Sequence, residues 1–200
     1  MRSERLGLTV LCVALLSGCP DEKNSGQAPS RFAGVATKVS KQTAQFCDHS
    51  YPAGVDHLYR PAPTRPLTGA DASPSGKGWR WVNAWATWCT PCVEEMGLLT
   101  RWRDALKEDG LDVSFELLSI DVTDAEPELR RWTQKSLPGK VQWLRAEEDF
   151  GPWLDALGVE RDAAVPIHVL VDPKGQVRCV RVGAVHAQDY GAVRSLLTGT

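Results

Sequence analysis

Apolar residues along this chain recur with two periods, which predict an alternation of strands and helices. Runs rich in β-branched and aromatic residues favour buried strands at 79–86, 113–121, 141–144, 167–172 and 176–183. Apolar residues spaced by three or four favour helices at 92–107, 126–136, 150–157 and 189–197. This order predicts an α/β fold with a mixed central sheet and helices on both faces.

The first eighteen residues have the pattern of an export signal. A short, net positive opening precedes an apolar run at 6–16, which is too short for a hydrocarbon core that needs about 20 residues. The segment Leu16-Ser17-Gly18-Cys19 resembles the lipobox of bacterial lipoproteins, which implies cleavage before Cys19 and its acylation. An ordinary signal followed by a chance cysteine is the alternative.

Four segments follow from these patterns. We expect a lipoprotein signal peptide at 1–18, a flexible polar tether at 19–45, an N-terminal extension and loop at 46–78, and the folded domain at 79–200. Within the third segment, 60–78 is rich in proline and reads as a loop, whereas the stretch before it has residues able to pack on the domain. In the rest of the chain we expect no membrane-spanning segment.

Composition narrows the function classes. With 42% hydrophobic and 24% charged residues, the chain has the composition of a globular protein. Its formal net charge of −2 argues against a nucleic-acid binder built on a basic face. Six cysteines in 200 residues are too few for a small disulfide scaffold, but each requires an explanation.

The clearest chemical motif is Cys89-Thr90-Pro91-Cys92, which follows a predicted strand and opens a predicted helix. At the helix N-terminus, backbone N–H groups and the helix dipole stabilise a thiolate, so Cys89 is the expected exposed nucleophile. Cys92 lies under the same turn and is the expected resolving thiol. Pro91 suits a first helical turn, where a missing N–H costs nothing.

Two blocks, VNAWATWCTPCVEEM at 82–96 and VPIHVLVDPKG at 165–175, resemble the thioredoxin superfamily. They are most similar to the membrane-anchored thiol–disulfide oxidoreductases of the TlpA/ResA type. This resemblance implies a thioredoxin-like fold over roughly 79–197, with a redox-active disulfide between Cys89 and Cys92. It also implies that Pro166 is cis and faces that disulfide, and that Trp88 shields one side of the nucleophile.

The same resemblance gives a role to Glu95, which matches an acid that assists proton transfer at the resolving thiol. Its helical spacing from Cys92 puts both on one face, while a solvated surface glutamate is the alternative. The chain departs from the family's usual pattern at three positions. Asn83 stands where thioredoxins proper carry a buried acid, Gly97 where relatives often have proline, and His168 where they often have a small hydroxyl residue.

Other functions fit the motif less well. Structural zinc needs about four ligands, but no second Cys-x-x-Cys accompanies the first, and the four histidines are scattered. A copper-binding redoxin-like carrier is an alternative because thiolates suit Cu(I) and His186 lies late in the chain. A peroxiredoxin is disfavoured by the closely spaced second cysteine, and a redox-silent binding module of the same fold stays open. We expect His49 and His57 to be solvated loop residues rather than ligands.

Cys47 and Cys179 are left without a role in the motif. In an oxidising compartment two such cysteines favour pairing, which would staple the N-terminal extension to the sheet. Some relatives carry a similar second bridge, and two separate thiols are the alternative.

Together these patterns predict an exported, lipid-anchored thiol–disulfide oxidoreductase of the bacterial envelope, facing the periplasm or another extracytoplasmic space. We expect cysteine-containing envelope proteins as substrates, a membrane thiol electron donor, and a bilayer contact through acylated Cys19. We expect no cofactor, metal or nucleic acid, and a monomer. The resemblance favours a reductase, but the motif leaves open the redox direction, the physiological substrate and the choice of inner or outer membrane.

Overall fold

The predicted strands form the centre of a seven-stranded sheet in the computed structural model of this chain, which describes residues 45–67 and 77–199. The predicted signal peptide, Cys19 and all but the last residue of the predicted tether lie outside the described residues. The seven strands, numbered β1 to β7, are His49–Ser50, Thr64–Arg65, Trp79–Trp85, Val113–Ser119, Lys140–Leu144, Ile167–Val171 and Val177–Val182.

The sheet is mixed, as the pattern predicts. Its strand order is β1-β7-β6-β3-β4-β5-β2. The pairs β3–β4 and β4–β5 are parallel, whereas all other neighbours are antiparallel. This register places Asn83 of β3 directly opposite His168 of β6.

Four helices cover the two faces of the sheet. They are α1 to α4, at Thr90–Glu108, Glu126–Thr133, Phe150–Asp155 and Tyr190–Thr198. Alternate residues of a strand point to opposite faces. Trp81 and Trp85 therefore pack with apolar side chains of α1, α2 and α4, while Val82 and Ala84 pack with Trp153 of α3. The predicted α/β class with helices on both faces is confirmed.

The N-terminal extension supplies the strands at both sheet edges. β1 pairs with β7, and β2 pairs with β5. The prediction of a continuous loop at 60–78 is therefore wrong at Thr64–Arg65. This short strand pairs with the edge of β5, and two contacts of the Arg65 side chain support it. Its Nε donates to the Leu144 carbonyl oxygen at 3.0 Å, and its guanidinium lies 3.7 Å from the centre of the Trp143 ring.

A disulfide joins Cys47, just before β1, to Cys179 of β7. The two residues are 132 positions apart in sequence, and both are buried. In the β1–β7 pairing, Ser50 is the register partner of Cys179. The bridge therefore fixes the extension covalently to the sheet where its first strand pairs.

The histidines of the extension are half-buried, so the prediction that they are solvated loop residues is wrong in part. His49 is half-buried within β1. The His57 ring is half-buried, lies 2.9 Å from the Ala156 carbonyl oxygen through Nε2, and packs against the Tyr51 ring with 4.0 Å between centroids. Both are partly covered because the extension folds back on the end of α3 and on β7.

Candidate active site

The Cys-x-x-Cys motif lies where β3 gives way to α1. Cys89 is the N-cap of α1, and its Sγ accepts a hydrogen bond from the Cys92 N–H at 3.3 Å. Pro91 lies in the first turn, where no intrahelical N–H is needed. A disulfide joins Cys89 to Cys92 across a Cα–Cα distance of 5.3 Å. Cys89 therefore occupies a helix terminus whose free N–H groups favour a thiolate.

The two cysteines of the motif differ little in exposure. Cys89 is 5% exposed and Cys92 is fully buried, so the expectation of an exposed Cys89 is wrong for this disulfide form. The reason is that the Cys89 Sγ is covered on one side by the Val165 carbonyl oxygen at 3.6 Å. The adjacent Trp88 is 66% exposed, which makes it the most exposed large apolar side chain of the described residues.

The second sequence block reaches the disulfide through the carbonyl oxygen of Val165, the residue before its proline. The Val165–Pro166 peptide bond is cis, and Pro166 directly precedes β6. Because Val165 contacts Cys89, the two blocks at 82–96 and 165–175 meet at one site.

Glu95 is buried in α1, one helical turn after Cys92, and is 4% exposed. Its carboxylate accepts two hydrogen bonds. One comes from Asn83 Nδ2 of β3 to Oε1 at 3.0 Å, and the other from the Val185 N–H, which follows β7, to Oε2 at 2.9 Å. A buried carboxylate requires such donors because it has lost its hydration. Glu95 is therefore not the solvated surface residue of the alternative reading.

His168 lies beside this carboxylate in the middle of the sheet and is 1% exposed. Its Nε2 is 3.4 Å from Glu95 Oε2. Its Nδ1 is 3.1 Å from both Trp81 Nε1 and Asn83 Nδ2. Two strands, β3 and β6, and helix α1 thus bring four polar side chains together, and we call this set (Trp81, Asn83, Glu95 and His168) the buried polar cluster.

Sequence reasoning named Asn83 and His168 as departures from a family pattern but did not connect them to Glu95. One available signal is polarity, since His168 is the one polar residue of β6 and Asn83 interrupts the otherwise apolar, buried part of β3 at 81–85. Their pairing across β3 and β6 depends on register, which a single sequence does not specify.

Asp121, also missed by sequence reasoning, anchors the loop before the motif. It is 2% exposed and follows β4. Its carboxylate accepts hydrogen bonds from the Thr87 hydroxyl at 2.6 Å, from the Thr87 N–H at 3.1 Å and from the Ser119 hydroxyl at 2.7 Å. These bonds fix the backbone two residues before Cys89.

Within residues 45–67 and 77–199, no group of three or more His, Cys, Asp or Glu side chains is arranged to hold a metal ion. Among the same residues, no helix has the length and apolarity needed to span a membrane.

Solved structures resemble this fold, although no family model matches the chain. A thioredoxin-related protein from Neisseria meningitidis serogroup B has a TM-score of 0.51 and 22% identity, covering 66% of this chain and 97% of its own. The thioredoxin domain of a thiol-disulfide oxidoreductase from Bacteroides vulgatus has a TM-score of 0.46 and 19% identity, covering 60% and 80%. StoA from Bacillus subtilis has a TM-score of 0.42 and 17% identity, covering 59% and 83%. The chain has a thioredoxin-like fold.

Proposed function

We propose that this chain is an exported, lipid-anchored thiol–disulfide oxidoreductase that reduces disulfides of envelope proteins. The observation that carries the proposal is the Cys89–Cys92 disulfide at the N-terminus of α1, beside the cis Val165–Pro166 bond. This is the environment in which a thiolate is stabilised and a two-cysteine exchange can close on itself.

In the proposed reaction, the reduced pair transfers two electrons to a substrate disulfide. The Cys89 thiolate attacks one substrate sulfur, which forms a mixed disulfide and releases the other sulfur as a thiolate. Cys92 then loses its proton and attacks Cys89 Sγ, which releases the second substrate sulfur and forms the Cys89–Cys92 disulfide. A membrane dithiol donor returns the pair to the reduced form by the reverse exchange.

Three further residues have proposed roles in this reaction. Glu95 accepts the Cys92 proton, which is supported by its burial one turn away and by its hydrogen-bonded carboxylate. Pro166 and the exposed indole of Trp88 border Cys89, where a substrate polypeptide would dock.

The reduction potential tests the direction of transfer. We would measure it on the full chain with Cys12→Ser and Cys19→Ser substitutions, which remove the two cysteines that belong to neither disulfide. Cys89→Ala is the inactive control. A reductase role predicts a potential near about −270 mV together with reduction of insulin, whereas a value near about −120 mV refutes it. Failure to reduce insulin combined with tight Cu(I) binding would instead identify a copper carrier.

Membrane attachment is tested separately on the unsubstituted chain in a bacterial host. We expect wild-type protein in the membrane fraction with an acylated N-terminal cysteine detected by mass spectrometry, since two or more acyl chains anchor stably. A Cys19→Ala chain should lose the modification. Equal membrane recovery of both chains without any acyl mass would refute the anchor.

A further inference from the structure

The ring of His168 has one satisfied and one unsatisfied nitrogen, although the side chain is buried. Nδ1 contacts Trp81 Nε1 and Asn83 Nδ2, each at 3.1 Å. Among the described residues, no group forms a hydrogen bond with Nε2. Glu95 Oε2 lies 3.4 Å from it, but the two atoms are too poorly aligned for a hydrogen bond. A buried polar group left in this way needs an explanation, because its desolvation is costly.

Trp81 determines which nitrogen carries the proton. An indole Nε1–H donates and never accepts, so the His168 Nδ1 that faces it must be the unprotonated acceptor. A neutral imidazole then carries its hydrogen on Nε2. That N–H lies on the side of the ring next to the Glu95 carboxylate.

The groups that face Glu95 are all donors. They are the Asn83 amide from β3, the Val185 N–H after β7 and the His168 Nε2–H from β6. Arg181, the β7 register partner of His168, turns its guanidinium to Asp48 at 3.7 Å. Cys92 precedes Glu95 by one turn of the same helix.

We propose that His168 is a positioning residue for Glu95 in the step that resolves the mixed disulfide. In the oxidised form the His168 Nε2–H lies beside the Glu95 carboxylate without a hydrogen bond to it. When Glu95 turns toward Cys92 to act as a base, this N–H donates to Glu95 Oε2. Trp81 keeps that hydrogen on the correct nitrogen. The inference rests on the proposed function and gives the buried polar cluster a part in it.

The step can be followed with dithiobis(nitrobenzoate), a chromogenic disulfide. Cys89 attacks it, forming a mixed disulfide and releasing one coloured thiolate at a rate that depends on reagent concentration. Cys92 then passes its proton to Glu95 and attacks Cys89 Sγ, so that the protein pair is oxidised to the disulfide and the second coloured thiolate leaves. This second phase is independent of reagent concentration, and a Cys92→Ala chain should lack it.

Two substitutions of His168 separate its contact with Glu95 from its contact with Trp81. Glutamine places an amide near the Nε2 position, so His168→Gln keeps a donor toward Glu95. Asparagine reaches only the Nδ1 position, so His168→Asn keeps an acceptor for Trp81 and loses the donor. We expect His168→Asn to slow the second phase about tenfold with an unchanged first phase, and His168→Gln to stay within about threefold of wild type. Equal second phases in wild type and His168→Asn would overturn the proposal.

A double-mutant cycle distinguishes positioning from a general structural effect. With Glu95→Gln present, His168→Asn should cost almost nothing further in the second phase, because its target is gone. The same tenfold loss in both backgrounds would overturn the proposal. Glu116→Gln is the matched control, since it removes a different buried carboxylate, paired with Arg80 at 2.6 Å, and should leave the second phase unchanged.

Trp81→Phe provides a test that does not depend on the folding of His168 variants. It retains an aromatic ring and removes one of the two donors that face His168 Nδ1. The other, the Asn83 amide, can also present its oxygen, unlike an indole, so we expect a slower second phase with His168 in place. An unchanged second phase would overturn the role of Trp81. Failure of the proposed function is distinguishable from these results because it is measured separately: the wild-type chain would then not reduce insulin, whatever its two phases with the chromogenic disulfide.

Discussion

The bridge between Cys47 and Cys179 provides a direct test of what holds the N-terminal extension in place. Its loop spans a sequence separation of 132. In the chain-entropy model, closing a loop of this length restricts the unfolded chain by about 5 kcal/mol at 25 °C, while native bridges measured by removal contribute about 2–5 kcal/mol. We therefore expect Cys47→Ala with Cys179→Ala to lower the free energy of unfolding by about 3–5 kcal/mol.

The fold should survive this change because the extension has other attachments. The Asp48 N–H donates to the Val180 carbonyl oxygen at 2.8 Å, and Asp48 Oδ2 accepts from the Val182 N–H at 2.7 Å. Phe46 remains buried in the cluster that contains Trp81. The effect is thus expected mainly in the unfolded state, which becomes more expanded without the cross-link.

Urea unfolding without reductant measures both consequences. The variant should have a lower midpoint and a larger m-value, since its unfolded chain exposes more surface. Cys47→Ala alone should lose as much stability as the double variant. The control is Cys89→Ala with Cys92→Ala, which opens a loop with a sequence separation of only 3 and should cost much less. A loss below about 1 kcal/mol with an unchanged m-value would refute the reasoning.

Three other predictions concern single residues. Gly97→Ala should raise the free energy of unfolding by about 0.5–1 kcal/mol, because Gly97 is exposed in α1 and an added Cβ meets only the end of Arg101 at 3.7 Å. A loss of stability in chemical denaturation would contradict this. Asp121→Asn should lower the free energy of unfolding by about 1–3 kcal/mol and slow the first phase of the reaction with dithiobis(nitrobenzoate). An unchanged first phase would show that the hydrogen bonds to Thr87 do not position Cys89. Burial raises the pKa of Asp172, but bonds from the Gln176 and Lys174 N–H groups and Arg178 lower it more, so its net pKa lies below the ordinary 3.8. Its stabilising contribution is complete above that value and lost as pH falls through the lower folded pKa, so acid unfolding should be steeper for wild type than for Asp172→Asn.

Much of the fold could be predicted because its strands and helices have strong local periodicity. The central strands at 79–85 and 167–171 are buried on both faces, so nearly all of their residues are apolar or aromatic. The helix after the motif has its apolar residues on one stripe. In contrast, β1 and β2 contain two residues each, which is too short for any period to emerge. β1 and β2 form because β7 and β5 have unpaired edges, and those edges exist only in the tertiary structure.

The residues of the site likewise fall into those that the sequence predicts and those that only the fold brings together. Cys89 and Cys92 could be recognised because their chemistry requires a local spacing. The adjacent Glu94 and Glu95 are identical in type, but the first is exposed and the second is buried. What separates them is helical phase together with hydrogen-bond donors from β3 and from the segment after β7, and those donors lie outside the helix. The partners of Asp121 are likewise assembled only by the fold.

The two-residue strands at the sheet edges have a consequence for intermolecular pairing. A recombinant chain started at Trp79, where the regular pattern begins, would lack both β1 and β2 and leave β7 and β5 as outer strands. Exposed edge strands present unpaired N–H and C=O groups that template the addition of further chains. A single N-terminal segment covers both edges, so its removal would convert a protected sheet into one open to aggregation from either side.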